Sequence, residues 1–134
     1  DIVSVEFSES LFSYSLTITF AAAPDTSAIG IVSFDIDQNF ATGAYPAPFG
    51  LGLGNYDIGS EYEIYFDFPN SLGDTLGLPP SAYVFDVSNT SMTPMGLPLP
   101  IQFSGNNASI SLLKILYNIF DPQMNITASM LVKE

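Results

Sequence analysis

Side chains that could bind a hard cation are concentrated in one short segment. Asp35, Asp37 and Asn39 are spaced at i, i+2 and i+4, and Thr42 follows just before a glycine. Calcium takes six to eight oxygen ligands, and alternating Asp and Asn residues in a tight loop supply them. The same residues also suit an Asx-rich turn that caps a strand by hydrogen-bonding its own backbone. The glycine and twelfth-position Glu of an EF-hand loop are missing, so both interpretations stay open.

The apolar strand predicted over residues 28–36 positions this segment. Side chains alternate between the two faces of a strand, so Phe34 and Ile36 point to one side and Asp35 and Asp37 to the other. We therefore expect the carboxylates at the end of a buried strand, on the face opposite the two apolar side chains.

Period-2 alternation of apolar and polar residues recurs along the chain and predicts an all-β fold. Gly- and Pro-rich stretches at 44–56 and 92–100 are expected to be connectors. A 3.6-residue spacing of apolar residues allows a short helical turn at 116–120. Strands are predicted over 3–8, 12–20, 28–36, 60–68, 83–87, 101–103, 110–115 and 124–130. We predict one antiparallel β-sandwich domain over residues 1–134, jelly-roll or immunoglobulin-like, with eight or nine strands.

The composition excludes several classes of function. The 134 residues include no Cys, His, Arg or Trp, and Lys114 and Lys133 are the cations in a chain of net charge −12. Catalytic triads with His or Cys are therefore impossible. The chain also lacks the clustered Lys and Arg that binding to nucleic acid or anionic membranes requires. A carboxylate pair could hydrolyse glycosides, but most of the fourteen carboxylates occupy outward strand positions. We predict a non-catalytic protein that does not insert into membranes.

Two segments resemble the DOMON-like or jelly-roll β-sandwich modules of secreted bacterial proteins. Residues 35–43 read DIDQNFATG and residues 59–62 read GSEY, where the family has DxDQNxxTG and GxDY. The resemblance implies a calcium site and a secreted or cell-surface protein, because family members are mostly non-catalytic modules of surface proteins and polysaccharide-degrading enzymes. The implied ligands are Asp35, Asp37, Asn39 and Thr42, with Glu61 in place of the family's Asp, or Asp57 as its substitute.

Three Asn-x-Ser/Thr sequons also fit a secreted chain. Their asparagines are Asn89, Asn107 and Asn125. All three fall at predicted turns or outward strand positions, where a glycan can be tolerated. They are candidate glycosylation sites.

The first of two functional hypotheses is a structural subunit that self-assembles into a fibre or surface coat. A hydrophobic content of 47% beside few charges suggests that apolar surface meets a partner. The amino-terminal strand could pack in its own sandwich or be lent to a neighbour's sheet edge, and the apolar connectors offer further contacts. The candidate contact residues are Val3, Val5 and Phe7 in the strand and Tyr45, Phe49 and Leu51 in the first connector.

The second hypothesis is a carbohydrate-binding or adhesion module. Such modules stack sugars on exposed aromatic rings, and the rings available for this are Tyr45, Phe49, Tyr56 and Tyr65. The same rings could instead pack the long connector onto the sandwich. In this hypothesis the partner is a polysaccharide.

Overall fold

The computed structural model describes residues 1–24, 26–39, 60–88, 92–118, 120 and 123–132. They form nine strands and one turn of 3-10 helix at Asp74–Leu76. The strands are β1 (Ile2–Glu9), β2 (Ser13–Phe20), β3 (Ala28–Asp35), β4 (Tyr62–Asp67), β5 (Ser81–Asp86), β6 (Thr93–Pro100), β7 (Gln102–Ser104), β8 (Asn107–Leu113) and β9 (Asn125–Val132). The predicted all-β class and strand number are confirmed.

The strands form two antiparallel sheets. Sheet A has the order β1-β2-β8-β7, and sheet B has the order β6-β5-β4-β3-β9. The chain begins with the β1–β2 hairpin, crosses to sheet B for the β3–β6 meander, and returns to sheet A through β7 and β8. It then crosses once more, so that β9 pairs with β3. This last pairing joins two segments that lie far apart in the sequence.

The core lies between the sheets and follows the alternation of the strands. Tyr14, Leu16, Ile18 and Phe20 of β2 are all at most 5% exposed, as their period-2 spacing predicts. They pack against a second layer from sheet B, which includes Val32, Phe34, Ile64, Phe66 and Val84. Each large apolar side chain buried in this way contributes about 1.5–3 kcal/mol to folding.

An aromatic cluster closes the core at the end where β3 finishes. The Phe120 ring centroid lies 5.0 Å from that of Phe7 and 5.0 Å from that of Phe34. Phe7 also stacks on Tyr14 at 5.2 Å. Strand β1 thus packs within its own sandwich, and the cluster fixes Phe34, the residue that precedes Asp35.

The segment 92–100, predicted to be a connector, is largely a strand, and that prediction was wrong. It forms β6, one of the two edge strands of sheet B. Proline cannot donate to a sheet ladder, but an edge strand needs only one of its two sides paired. The register with β5 shifts between Ala82 and Val84, opposite Gly96, whose φ of 71° needs a glycine.

The sequence allowed a short helical turn at 116–120, and the described residues of that range are not helical. The hydrogen-bonded turn lies at 113–117, where Tyr117 N donates to Leu113 O at 3.1 Å. The 3-10 turn lies instead at Asp74–Leu76, and Gly77 ends it with a φ of 71°. Apolar spacing alone could not separate a turn from a helix here.

Candidate metal centre

Three carboxylates converge where β3 ends and β4 begins. One oxygen each from Asp35, Asp37 and Glu61 lie within 4.8 Å of one another. Asp35 is only 1% exposed, Glu61 is half-buried, and Asp37 is exposed. The structure therefore brings together three of the residues that the resemblance implied as ligands.

The pairing of β3 with β4 places Glu61 beside Asp35. Phe34 lies opposite Tyr62 in the ladder, and Glu61 N donates to Phe34 O at 3.0 Å. Phe34 points into the core, so alternation directs Asp35 to the outer face of sheet B. Ile36 N then donates to Glu61 Oε2 at 2.8 Å, which fixes the Glu61 carboxylate against the start of the loop.

The acidic loop also forms the Asx turn expected as the alternative to a metal site. Asn39 N donates to Asp37 Oδ1 at 2.9 Å and to Asp35 Oδ1 at 3.1 Å. Gln38 takes the left-handed conformation, with φ of 57°, and its side-chain nitrogen donates to Gln123 O. An ionised carboxylate offers about four lone-pair sites, more than one hydrogen bond uses, so an Asx turn and cation binding can involve the same carboxylates.

Strand β9 contributes a further side chain to the cluster. Asn125 lies opposite Asp35 in the ladder, and its Nδ2 donates to Asp35 Oδ2 at 3.2 Å. Both oxygens of the buried Asp35 carboxylate therefore accept a hydrogen bond. Sequence reasoning proposed Asn125 only as a glycosylation site, because the β3–β9 pairing leaves no local signal in the sequence.

The cluster concentrates negative charge in a chain that has little positive charge to balance it. Lys114, the lysine within the described residues, forms an ion pair with Glu9, with 2.9 Å between Nζ and Oε2. Three carboxylates in close proximity repel one another, more strongly where one is buried away from water. Hard divalent cations relieve such repulsion and prefer oxygen ligands, so this arrangement is chemically suited to calcium.

A second buried carboxylate lies farther along the same face of sheet B. Glu63 is 1% exposed, and Tyr65 Oη donates to its Oε2 at 3.0 Å. Burial, together with the charge and hydrogen bonding of Glu63, raises the pKa of Tyr65 well above its ordinary value. Period-2 alternation in the strand predicted over 60–68 places Glu63 on the outward face, so its burial was not anticipated.

The remaining candidate residues divide between described and undescribed parts of the chain. Val3 is 65% exposed, whereas Val5 and Phe7 are half-buried against the core. Asn107 is exposed at the start of β8. Tyr65, a proposed sugar-stacking ring, is half-buried and packs edge-on against Phe85 at 5.4 Å between ring centroids. Outside the described residues lie Thr42, Asp57, Asn89, Tyr45, Phe49, Leu51 and Tyr56.

Comparison with known proteins gave no relative. No family model, curated protein or solved structure matches the chain. The resemblance to DOMON-like modules therefore stays a prediction from the two short segments. Within the described residues no helix is long and apolar enough to span a membrane.

Proposed function

We propose that the chain is a non-catalytic structural subunit, secreted or held at the cell surface, that self-assembles and is stabilised by calcium. The observation that carries this proposal is the buried carboxylate of Asp35 beside Asp37 and Glu61. These side chains, with Asn125, belong to or adjoin three neighbouring strands of sheet B. A cation bound by these side chains would cross-link β3, β4 and the intervening acidic loop and so stabilise their arrangement.

The donor set favours calcium over other common metals. The candidate ligands are oxygens, and the chain has neither His nor Cys, the residues that zinc prefers. Magnesium demands near-ideal octahedral geometry and keeps several waters, whereas calcium accepts many carboxylate oxygens in irregular loops. The backbone N–H of Asn39 donates to Asp37 Oδ1, so the Asn39 side chain could supply a further oxygen close to the carboxylates. Calcium bound only by the folded state would stabilise it in proportion to the logarithm of the calcium concentration.

A structural rather than catalytic role is supported by the chemistry of the side chains. The sequence contains no nucleophile–His pair, and Glu63 and Asp67 use their carboxylates to bind neighbouring groups. Asp67, for example, accepts the backbone N–H of Ser71 at 2.9 Å and closes the turn after β4. The sequons and the likeness to secreted modules support an extracellular location.

Self-assembly through preformed surfaces is better supported than exchange of β1. Lending β1 to a neighbour would remove Phe7 from its contacts with Tyr14, Phe34 and Phe120. Prolines in the edge strand β6 remove backbone donors and so discourage strand addition there. We therefore propose that copies associate as folded sandwiches through exposed apolar side chains.

Negative-stain electron microscopy with sedimentation velocity tests this function. The purified chain should form regular polymers or oligomers in calcium, and these should be reduced in EDTA. Magnesium at the same ionic strength controls for charge screening alone. Monomers under every condition would contradict the assembly role, and assembly that ignores calcium would contradict the role of the metal.

A further inference from the structure

Five large apolar side chains are exposed together at one end of the sandwich. They are Leu11 (79% exposed), Phe12 (74%), Leu113 (52%), Ile115 (88%) and Leu116 (63%). We call them the end patch. The sequence placed Phe12 inside the strand predicted over 12–20, but β2 begins at Ser13 and Phe12 lies in the preceding turn.

Backbone contacts bring the segments that carry these residues close together. Leu11 and Phe12 form the turn between β1 and β2, and Leu113 is the last residue of β8, which pairs with β2. Lys114 N donates to Phe12 O at 2.9 Å, and Leu116 N donates to Leu113 O at 3.0 Å. The two turns therefore lie side by side at the same end of sheet A.

The amount of apolar surface lies at the upper end of what an isolated monomer usually shows. From their exposed fractions, the five residues present roughly 600 Å², against about 300–600 Å² for the largest patch on a typical monomer. A standard protein–protein interface buries about 800 Å² on each partner. The end patch with a polar rim is thus large enough for a specific contact. Other exposed apolar residues, such as Leu76 and Leu97, belong to separate turns and strands.

The charges around the end patch allow two copies to meet there. Lys114 pairs with Glu9 at 2.9 Å, and its Nζ lies 5.3 Å from the centroid of the Tyr14 ring. A chain of net charge −12 repels its copies. Among the described residues beside the end patch, Lys114 and Glu9 carry opposite charges that balance each other. In a two-fold arrangement, Lys114 of one copy can also face Glu9 of the other, so the surface is complementary to itself.

We infer that the end patch binds the end patch of a second copy, forming a symmetric end-to-end dimer. This inference rests on the proposed function, since it names the surface through which the subunits associate. A two-fold contact closes on itself, so the dimer is a building block, and longer polymers need a second contact elsewhere.

A matched pair of double variants tests the inference. Phe12→Ser with Ile115→Ser removes two patch side chains, and Leu76→Ser with Leu97→Ser removes two equally exposed ones outside it. Sedimentation velocity over a concentration series should show dimers for the wild type and the control. Losing each patch side chain should weaken dimerisation by about tenfold or more. Thermal melting at low concentration should be alike for all three proteins, which confirms that they are folded.

The contrary results distinguish a wrong contact surface from an absence of assembly. If the patch variant associates as strongly as the control, the end patch is not the contact, while the proposed assembly stands. If the wild type stays monomeric at every concentration in the presence of calcium, both the dimer and the assembly are wrong. A monomeric wild type that binds neutral phosphatidylcholine vesicles through Phe12 and Ile115 would assign the patch to a lipid surface instead.

Discussion

Asn125 Nδ2 donates a hydrogen bond to Asp35 Oδ2 at 3.2 Å, linking the edge strand β9 of sheet B to the buried carboxylate of the candidate metal centre. Asn125 is also the acceptor asparagine of a sequon. A glycan would replace one hydrogen of this same nitrogen and would need space beside the acidic loop. Glycosylation at Asn125 and the geometry of the metal centre are therefore coupled through one atom.

Replacing Asn125 should destabilise the fold even without a glycan. In unglycosylated protein, Asn125→Ala removes one of the two hydrogen bonds to Asp35, and hydrogen bonds to charged groups contribute about 1.5–3 kcal/mol. Urea denaturation should show a loss of that size. Asn107→Ala, at the exposed sequon on β8, should change the free energy of unfolding by less than about 0.5 kcal/mol. Equal effects of the two substitutions would refute a structural role for Asn125.

Two residues of β1 distinguish packing in the same sandwich from donation to a neighbour. Phe7 contacts three aromatic rings, so Phe7→Ala should lower the stability of the monomer by about 2–4 kcal/mol. Val3, on the same strand, is 65% exposed, and Val3→Ala should cost less than about 0.5 kcal/mol. Chemical denaturation at concentrations where the chain is monomeric measures both. A Phe7→Ala monomer as stable as the wild type would mean that β1 packs elsewhere.

The Tyr65–Glu63 hydrogen bond should stabilise sheet B at neutral pH. Tyr65→Phe leaves the buried Glu63 carboxylate with one donor fewer, at an expected cost of about 1.5–3 kcal/mol. Tyr83 lies opposite Tyr65 on β5, and within the described residues its buried hydroxyl has no hydrogen-bond partner. Tyr83→Phe should therefore be neutral or stabilising. The reverse order of the two variants in a denaturant series would contradict this account of the outer face.

Alkaline pH should destabilise the fold in a way that depends on Tyr65. Its folded-state pKa is raised, mainly by burial, so the folded chain keeps a proton that the unfolded chain loses near pH 10. The contribution of Tyr65 to the stability of the fold is then fully present below about pH 10 and is lost as the pH rises through the folded-state pKa. In Tyr65→Phe this fall should be shallower. Tyr62, Tyr83 and Tyr117 shift in the same direction, so some dependence should remain. A fall equally steep in Tyr65→Phe and wild type would contradict the assignment.

The sequence predicted those features that depend on local patterns. Alternation in β2 and β3 predicted which side chains enter the core, and the direction of Asp35 followed from that of Phe34. The strand β6 was missed because prolines mark a connector in sequence, although an edge strand tolerates them. The position of Phe12 depended on where the β1–β2 turn ends, and one residue decides between core and surface there.

Only the part of the candidate site that lies within one short segment of the sequence was predictable. The spacing of Asp35, Asp37 and Asn39 is visible in the sequence, and the Asx turn they form is local. Glu61 came only from the resemblance, and Asn125 was not foreseen as part of the site, because both reach it through pairing of distant strands. The burial of Glu63 likewise depends on tertiary packing of an outer sheet face, which period-2 patterns do not report.

Thermal melting in calcium and in EDTA decides whether Asp35, Asp37 and Glu61 bind a metal, with Asp37→Asn and Asp74→Asn as the variants. Asparagine at position 37 keeps an acceptor for Asn39 N, so the turn is retained while one charged ligand is lost. Asp74 is an exposed carboxylate in the 3-10 turn and serves as the matched control. Calcium at about 100 times its dissociation constant should add about 2.7 kcal/mol, raising the Tm of wild type and Asp74→Asn by roughly 10 °C. Asp37→Asn should respond much less. Identical wild-type melts in calcium and EDTA would show that the cluster is an Asx turn and not a metal centre.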